Sequence, residues 1–140
     1  MNVAHWEHFP HDADMGIRGI GASIGEAFAQ TALALSAVIS DPATIVPRTS
    51  VYFKLMAADQ ELLLVDWLNA LIYEMATRKC LFSRFDVRIE DTTLEARAWG
   101  ERIDIARHKP AVEVKGATYT ELRVARLHDS SWLAQCVVDV

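Results

Sequence analysis

Hydrophobic positions along the chain change their period near Phe85. Upstream, two stretches repeat apolar residues at helical spacing among short strand-like runs; downstream, alternation takes over. The first strands are read at Trp6 to Phe9 and at Met15 to Gly21, where Met15, Ile17 and Ile20 interleave with Gly16, Arg18 and Gly19. Ser23-Ile24-Gly25-Glu26 is a capping box: the Ser23 hydroxyl takes the Glu26 backbone N–H while the Glu26 side chain reaches back. The helix it starts carries Ile24, Phe28, Leu35, Val38 and Ile39, with small Ala27, Thr31 and Ala34 between them, and ends by Ser40-Asp41-Pro42. Its alanines predict close packing on a sheet. Val51, Phe53 and Leu55 then alternate with Tyr52, Lys54 and Met56, as a half-buried strand requires. Asp59 caps a second helix to about Thr77, whose apolar stripe of Leu62, Leu63, Val65, Trp67, Leu68, Leu71, Ile72 and Met75 is broader than one face and predicts deep burial.

Period-two runs follow at Phe85 to Glu90, Leu94 to Gly100, Thr118 to Leu127 and Trp132 to Val140. Asp91-Thr92-Thr93 and His128-Asp129-Ser130-Ser131 have the composition of hairpin connections. Two helices early among strands, followed by hairpins, predict an α+β fold. We expect a single domain over residues 1–140, with a largely antiparallel or mixed sheet and two helices packed on one face.

The composition narrows the class. With 140 residues, 51% of them hydrophobic, the chain suffices for one core. A net charge of -5 argues against a stand-alone nucleic-acid binder, which needs a basic field to neutralise phosphates. No direct high-affinity nucleic-acid binding is expected. Cys80 and Cys136 lie far apart and form no Cys-x-x-Cys pair, so free, buried thiols are expected rather than zinc or a disulfide framework. The segment Met1 to Glu7 has no secretory pattern and no run is long and apolar enough for a membrane span, which points to a cytoplasmic location.

Chemistry concentrates at the two extremities. A strand-like run ends on Asp139 and Val140, placing a side-chain carboxylate beside a terminal one. Near the other end, His11-Asp12-Ala13-Asp14 precedes a strand; in an extended segment Asp12 and Asp14 project to one side. Termini of single domains are often close. If these two meet, Asp14, Asp139 and Val140, with Asp12 as an additional ligand, assemble oxygen donors that repel one another unless a cation compensates. Ca2+ or another divalent cation suits such donors. The alternative is that Asp12 makes an Asx turn and Asp14 bonds local amides.

A second region, Glu101 to Tyr119, gathers Arg102, Arg107, His108, Lys109 and Lys115 in an otherwise acidic chain. By default it reads as a solvated loop, with Lys115 as the functional candidate because it starts a strand between apolar residues. His5, His8 and His11 are scattered by strand alternation and do not read as a metal triad. No Gly-x-Ser-x-Gly elbow supports a hydrolase triad.

With these residues assembled, the chain resembles the archease family over nearly its full length. The resemblance rests on ordered motifs: Trp6-Glu7-His8 with His11-Asp12-Ala13-Asp14-Met15-Gly16-Ile17, then Ser23-Ile24-Gly25-Glu26-Ala27-Phe28, then Leu62-Leu63-Leu64-Val65-Asp66-Trp67-Leu68-Asn69. Gly100-Glu101-Arg102-Ile103-Asp104, Arg107-His108, Val112-Glu113-Val114-Lys115-Gly116-Ala117-Thr118-Tyr119 and the closing Val138-Asp139-Val140 complete it. The resemblance implies a non-catalytic protein that activates an RtcB-type RNA ligase, a GTP- and manganese-dependent enzyme of tRNA splicing and RNA repair, by promoting its guanylylation and multiple turnover. It further implies metal binding by Asp14, Asp139 and Val140, with Ca2+ as the ion, and a role for Lys115 in activating the partner. Asp12 stands where the family usually has threonine. The alternative from another class is a small metal-dependent hydrolase or phosphotransfer enzyme built on Asp12, Asp14 and Asp139, with His11 or Lys115 moving the proton.

Overall fold

Hydrogen bonds at their first turns fix where the two long helices begin. The computed structural model describes residues 4–140; residues 1–3, part of the segment read for a leader, lie outside it. In α1 (Ile24–Ile39) the Ser23 side chain accepts from Glu26 N, and Glu26 Oε1 accepts from Ala22 N, closing the capping box. In α2 (Gln60–Arg78) the Asp59 side chain accepts from Leu62 N. The other end of α2 stops on Lys79 in the left-handed region, with φ 54.

The strands are β1 (His5–His11), β2 (Asp14–Gly21), β3 (Thr49–Met56), β4 (Cys80–Glu90), β5 (Thr93–Arg102), β6 (Gly116–Ala117), β7 (Arg123–Arg126) and β8 (Trp132–Asp139). They form two antiparallel sheets: five strands in the order β1-β2-β8-β6, with β7 also on β8, and three in the order β3-β5-β4. The α+β class and the antiparallel pairing are as expected, but the strands divide between two sheets. Helix α1 touches β1, β2 and β8 of the larger sheet and β4 of the smaller, and α2 likewise touches strands of both. One continuous core results, in which Trp67 is fully buried, donates Nε1–H to Phe28 O at 3.2 Å and meets Phe53 edge to face at 5.2 Å.

Two expectations change. Of the strand read at Thr118 to Leu127 only β7 forms, while β6 lies just before it: residues 118–122 stay out of the ladder as Thr118 N–H and Oγ1–H both turn to Val137 O and Thr120 O accepts from Val137 N. Part of the region read as a solvated loop is ordered. Asp104 accepts from Ala106 N and Arg107 N to open a single helical turn, α3 (Ile105–His108), and Ser40 Oγ–H donates to His108 O to pin it to the end of α1. Among the described residues no helix is long and apolar enough to cross a membrane.

Candidate functional site: the joined ends of β2, β8 and β6

Strand register brings the two acidic extremities together. The β2–β8 ladder ends with Met15 opposite Val138, so Asp14 and Asp139 are the next residue of each strand beyond the last pair. Like charges brought together on neighbouring strands destabilise each other. Val140 N–H closes the end by donating to Asp14 Oδ1 at 3.3 Å. On the far side of β8, Gly116 pairs with Asp139, and Lys115 N–H donates to Asp139 O at 2.7 Å. Asn69 of α2 anchors this third strand, its Oδ1 accepting from Ala117 N at 2.9 Å. At this sheet end His11 pairs with Asp14 and Gly116 with Asp139, and the Val140 N–H bond to Asp14 joins the two pairs.

This sheet end is accessible. Asp139 and Lys115 are exposed, while Asp14 and Val140 are half-buried above fully buried Val138. The Lys115 backbone, not its ammonium, makes the contact with Asp139, and among the described residues that ammonium lies within salt-bridge distance of no carboxylate.

The expected extension through Asp12 to Asp14 does not occur. Asp12 and Ala13 are the two-residue loop between β1 and β2, and Asp12 takes φ 52, so strand alternation does not direct its side chain. That side chain is 93% exposed and lies 3.9 Å from His11 Nδ1. Among the described residues no three His, Cys, Asp or Glu side chains converge as a ready cation cage. Asp14 and Asp139 supply carboxylate oxygens at this sheet end and Val140 a main-chain carbonyl, donors of the type that hard divalent cations take.

The histidines scatter as strand alternation requires; His8 Nε2 bonds Ala34 O at 2.8 Å. Cys136 is buried and Cys80 half-buried, both free, and burial pushes their thiols up to about 12 and about 11.

A polar knot that the sequence reading missed lies at the end of β5. Buried Glu101 accepts from Val46 N at 2.7 Å, from Arg48 Nε at 3.0 Å and from Arg107 at 2.9 Å, with His108 Nε2 at 3.0 Å. Asp104 N donates to His108 Nδ1, so the ring hydrogen sits on Nε2 and faces Glu101. The Val46 amide above all, against burial, and then His108, Arg48 and Arg107 hold the Glu101 carboxyl down to about 2. The N-cap residue Asp104, four residues before His108, was the available signal.

Clefts lie elsewhere, two of them larger than the rest. One of about 860 Å³ opens between Ser23 and Gly25 of the α1 start and the Val87 to Thr93 hairpin; an apolar groove of about 540 Å³ runs between Ile72 and Ala76 and the Pro110 to Val114 segment.

Comparison with known proteins places this geometry among relatives. Residues 6–140 match the model of the Archease protein family. The sequence is 38% identical to protein archease of Pyrococcus furiosus, over 99% of this chain and 100% of that one, and 32% identical to that of Sulfolobus acidocaldarius, with the same coverage. The solution structure of Methanobacterium thermoautotrophicum protein 1598 superimposes with a TM-score of 0.84 at 28% identity, covering 96% of this chain and 98% of the other. A Thermotoga maritima crystal structure, described as an archease and possible chaperone, shares the fold with a TM-score of 0.61 at 20% identity, covering 96% of each chain.

Proposed function

The chain belongs to the archease family, and from that premise we propose that it is a non-catalytic cytoplasmic activator of an RtcB-type RNA ligase in tRNA splicing or RNA repair. It meets the ligase with the tip formed by Asp14, Asp139 and Val140 and favours the state that accepts guanylate from GTP. The supporting observation is the meeting of the two strand ends, where Met15 pairs with Val138 and Val140 N–H donates to Asp14 Oδ1, which brings Asp14 and Asp139 side by side. Two carboxylates so placed repel each other, and a divalent cation, Ca2+ foremost, is the counter-charge that oxygen donors select. Asp14 and Asp139 hold it through their side chains and Val140 through main-chain oxygen; Asp12, at the hairpin corner, is the additional ligand. When bound, the cation supplies charge that a partner's carboxylate or phosphate can share.

The exposed Lys115 ammonium, beside this tip and without an ion-pair partner among the described residues, contacts the ligase directly. An accessory protein shifts an enzyme only by binding its competent state more tightly than its idle one, so direct contact is required. The hydrolase reading draws no support from the two clefts, whose linings do not include Asp12, Asp14 or Asp139.

The test adds purified chain to its cognate ligase with GTP and Mn2+. Guanylylation rate and number of turnovers should rise, and the effect should fall at least about tenfold with Asp139→Asn or Lys115→Ala, about 1.4 kcal/mol in each case. An unchanged guanylylation rate at saturating chain overturns the proposal.

A further inference from the structure

Helix α2 does for one edge of the five-stranded sheet what a further strand would do. Strands β6 and β7 both pair with β8, and each gives an amide to a side chain of α2. Glu61 Oε2 accepts from Val124 N of β7 at 3.2 Å, and Asn69 Oδ1 accepts from Ala117 N of β6 at 2.9 Å. These two acceptors are eight residues apart, about 12 Å along a helix. The amides they receive are spaced alike: Val124 pairs with Ala134 and Ala117 with Val138, four residues further along β8, or about 13 Å. Helix and ladder run in step, with one side-chain oxygen for each edge strand.

The two anchors hold unequal loads. Strand β7 has four paired residues, whereas β6 has only Gly116 and Ala117, too short a strand to persist on one ladder alone. Lys115 directly precedes β6. Residues 111–113 before it are exposed, so its backbone is fixed by buried Val114 on one side and by β6 on the other. Its own amide donates to Asp139 O, a bond that lasts only while β6 stays on β8. Asn69 is exposed, and its removal opens no cavity in the core.

We propose that Asn69 is a positioning residue of the tip: by holding β6 on α2 it fixes Lys115 beside Asp139, in place for contact with the partner. What Lys115 touches rests on the ligase reading; what holds Lys115 rests on the geometry alone. If Asn69 served stability only, Glu61 would be its equal, since each gives one side-chain oxygen to one edge amide. Only Asn69 holds the strand that Lys115 enters.

The experiment compares Asn69→Ala with Glu61→Ala in the full chain. Amide exchange followed by nuclear magnetic resonance should quicken at Lys115 and Ala117 by at least about fivefold in Asn69→Ala, the effect of losing one neutral hydrogen bond, and should stay unchanged at Val124. Glu61→Ala should give the converse pattern. With the cognate ligase, GTP and Mn2+, Asn69→Ala should lower the stimulated guanylylation rate about fivefold at subsaturating chain. Glu61→Ala should leave that rate within about twofold of wild type. Asn69→Ala should add nothing to Lys115→Ala, because a residue that acts through another has no effect once the other is gone. Wild-type exchange at Lys115 in Asn69→Ala, equal loss of stimulation in the two single variants, or a double variant that loses the product of both factors overturns the proposal. Should the wild type leave guanylylation unchanged, the ligase reading falls alone, and the exchange pattern still decides whether Asn69 holds Lys115.

Discussion

Replacing Gly19 with alanine tests how tightly α1 rests on β2. A Cβ at residue 19 would lie 2.3 Å from Ala27 O, 2.4 Å from Thr31 N and 2.5 Å from Thr31 Oγ1. Each is more than 0.8 Å short of the 3.4 Å at which ordinary contact begins, and two are helix backbone that cannot rotate aside. To admit the methyl group, α1 must lift from the sheet, and Thr31 Oγ1, 3.0 Å from Ala134 O on β8, lifts with it. Overpacking of this kind costs about 1–3 kcal/mol. Rigid neighbours place Gly19→Ala at the upper end, about 3 kcal/mol, or about 10 °C in melting temperature for a domain of this size. Gly116→Ala is the control: its Cβ would stand 3.6 Å from Asn69 Oδ1 in ordinary contact, so the change should stay within about 0.5 kcal/mol. Thermal melts by circular dichroism, with urea titrations to check that the m-value is unchanged, measure both. A Gly19→Ala protein melting within about 2 °C of wild type refutes the reasoning.

Glu101→Gln should alter the acid limb of stability. A carboxyl held near 2 against an ordinary 4.5 contributes stability that is fully present above the higher value and is lost as pH falls towards the lower. Urea midpoints across that interval should therefore vary less steeply in the variant, and equal slopes would contradict the role given to the knot. Lys79→Gly, at the left-handed cap of α2, should stabilise by about 1 kcal/mol because glycine adopts φ 54 without the Cβ penalty; an unchanged melting temperature would count against it. Asn69→Ala removes the acceptor for Ala117 N and should cost about 1 kcal/mol and speed exchange of that amide, whereas Asn69→Asp keeps an oxygen there and should slow it again.

Local chemistry was legible in the sequence wherever it acts over four or five residues. The Ser23 box and the Asp59 cap start their helices where expected, and alternation through Val51 to Met56 locates β3. The meeting of the acidic extremities, expected from the general closeness of termini, is realised by the β2–β8 register. What depends on distant partners was not legible. The division into two sheets follows from which strands pair. The break between β6 and β7 follows from the hold of Val137 on Thr118 and Thr120, and the ordering of Arg107 and His108 from a carboxylate on β5. Glycine misleads as a turn signal here, because left-handed φ falls on Asp12, Lys79, Asp91, Lys109, Glu121 and Ser130 and on no glycine among the described residues. Gly19, Gly25 and Gly100 serve instead where another backbone approaches.

The most direct test of the proposed tip is calorimetric titration of Ca2+, with Mg2+ and Mn2+ alongside, into the wild type, Asp14→Asn and Asp139→Asn. One saturable site in the wild type, weakened at least about tenfold in each variant, is the result that the neighbouring carboxylates require, since each variant removes one of two charged ligands. Saturable binding that both variants retain in full, or no saturable binding of any of the three ions, would contradict a shared counter-ion between β2 and β8.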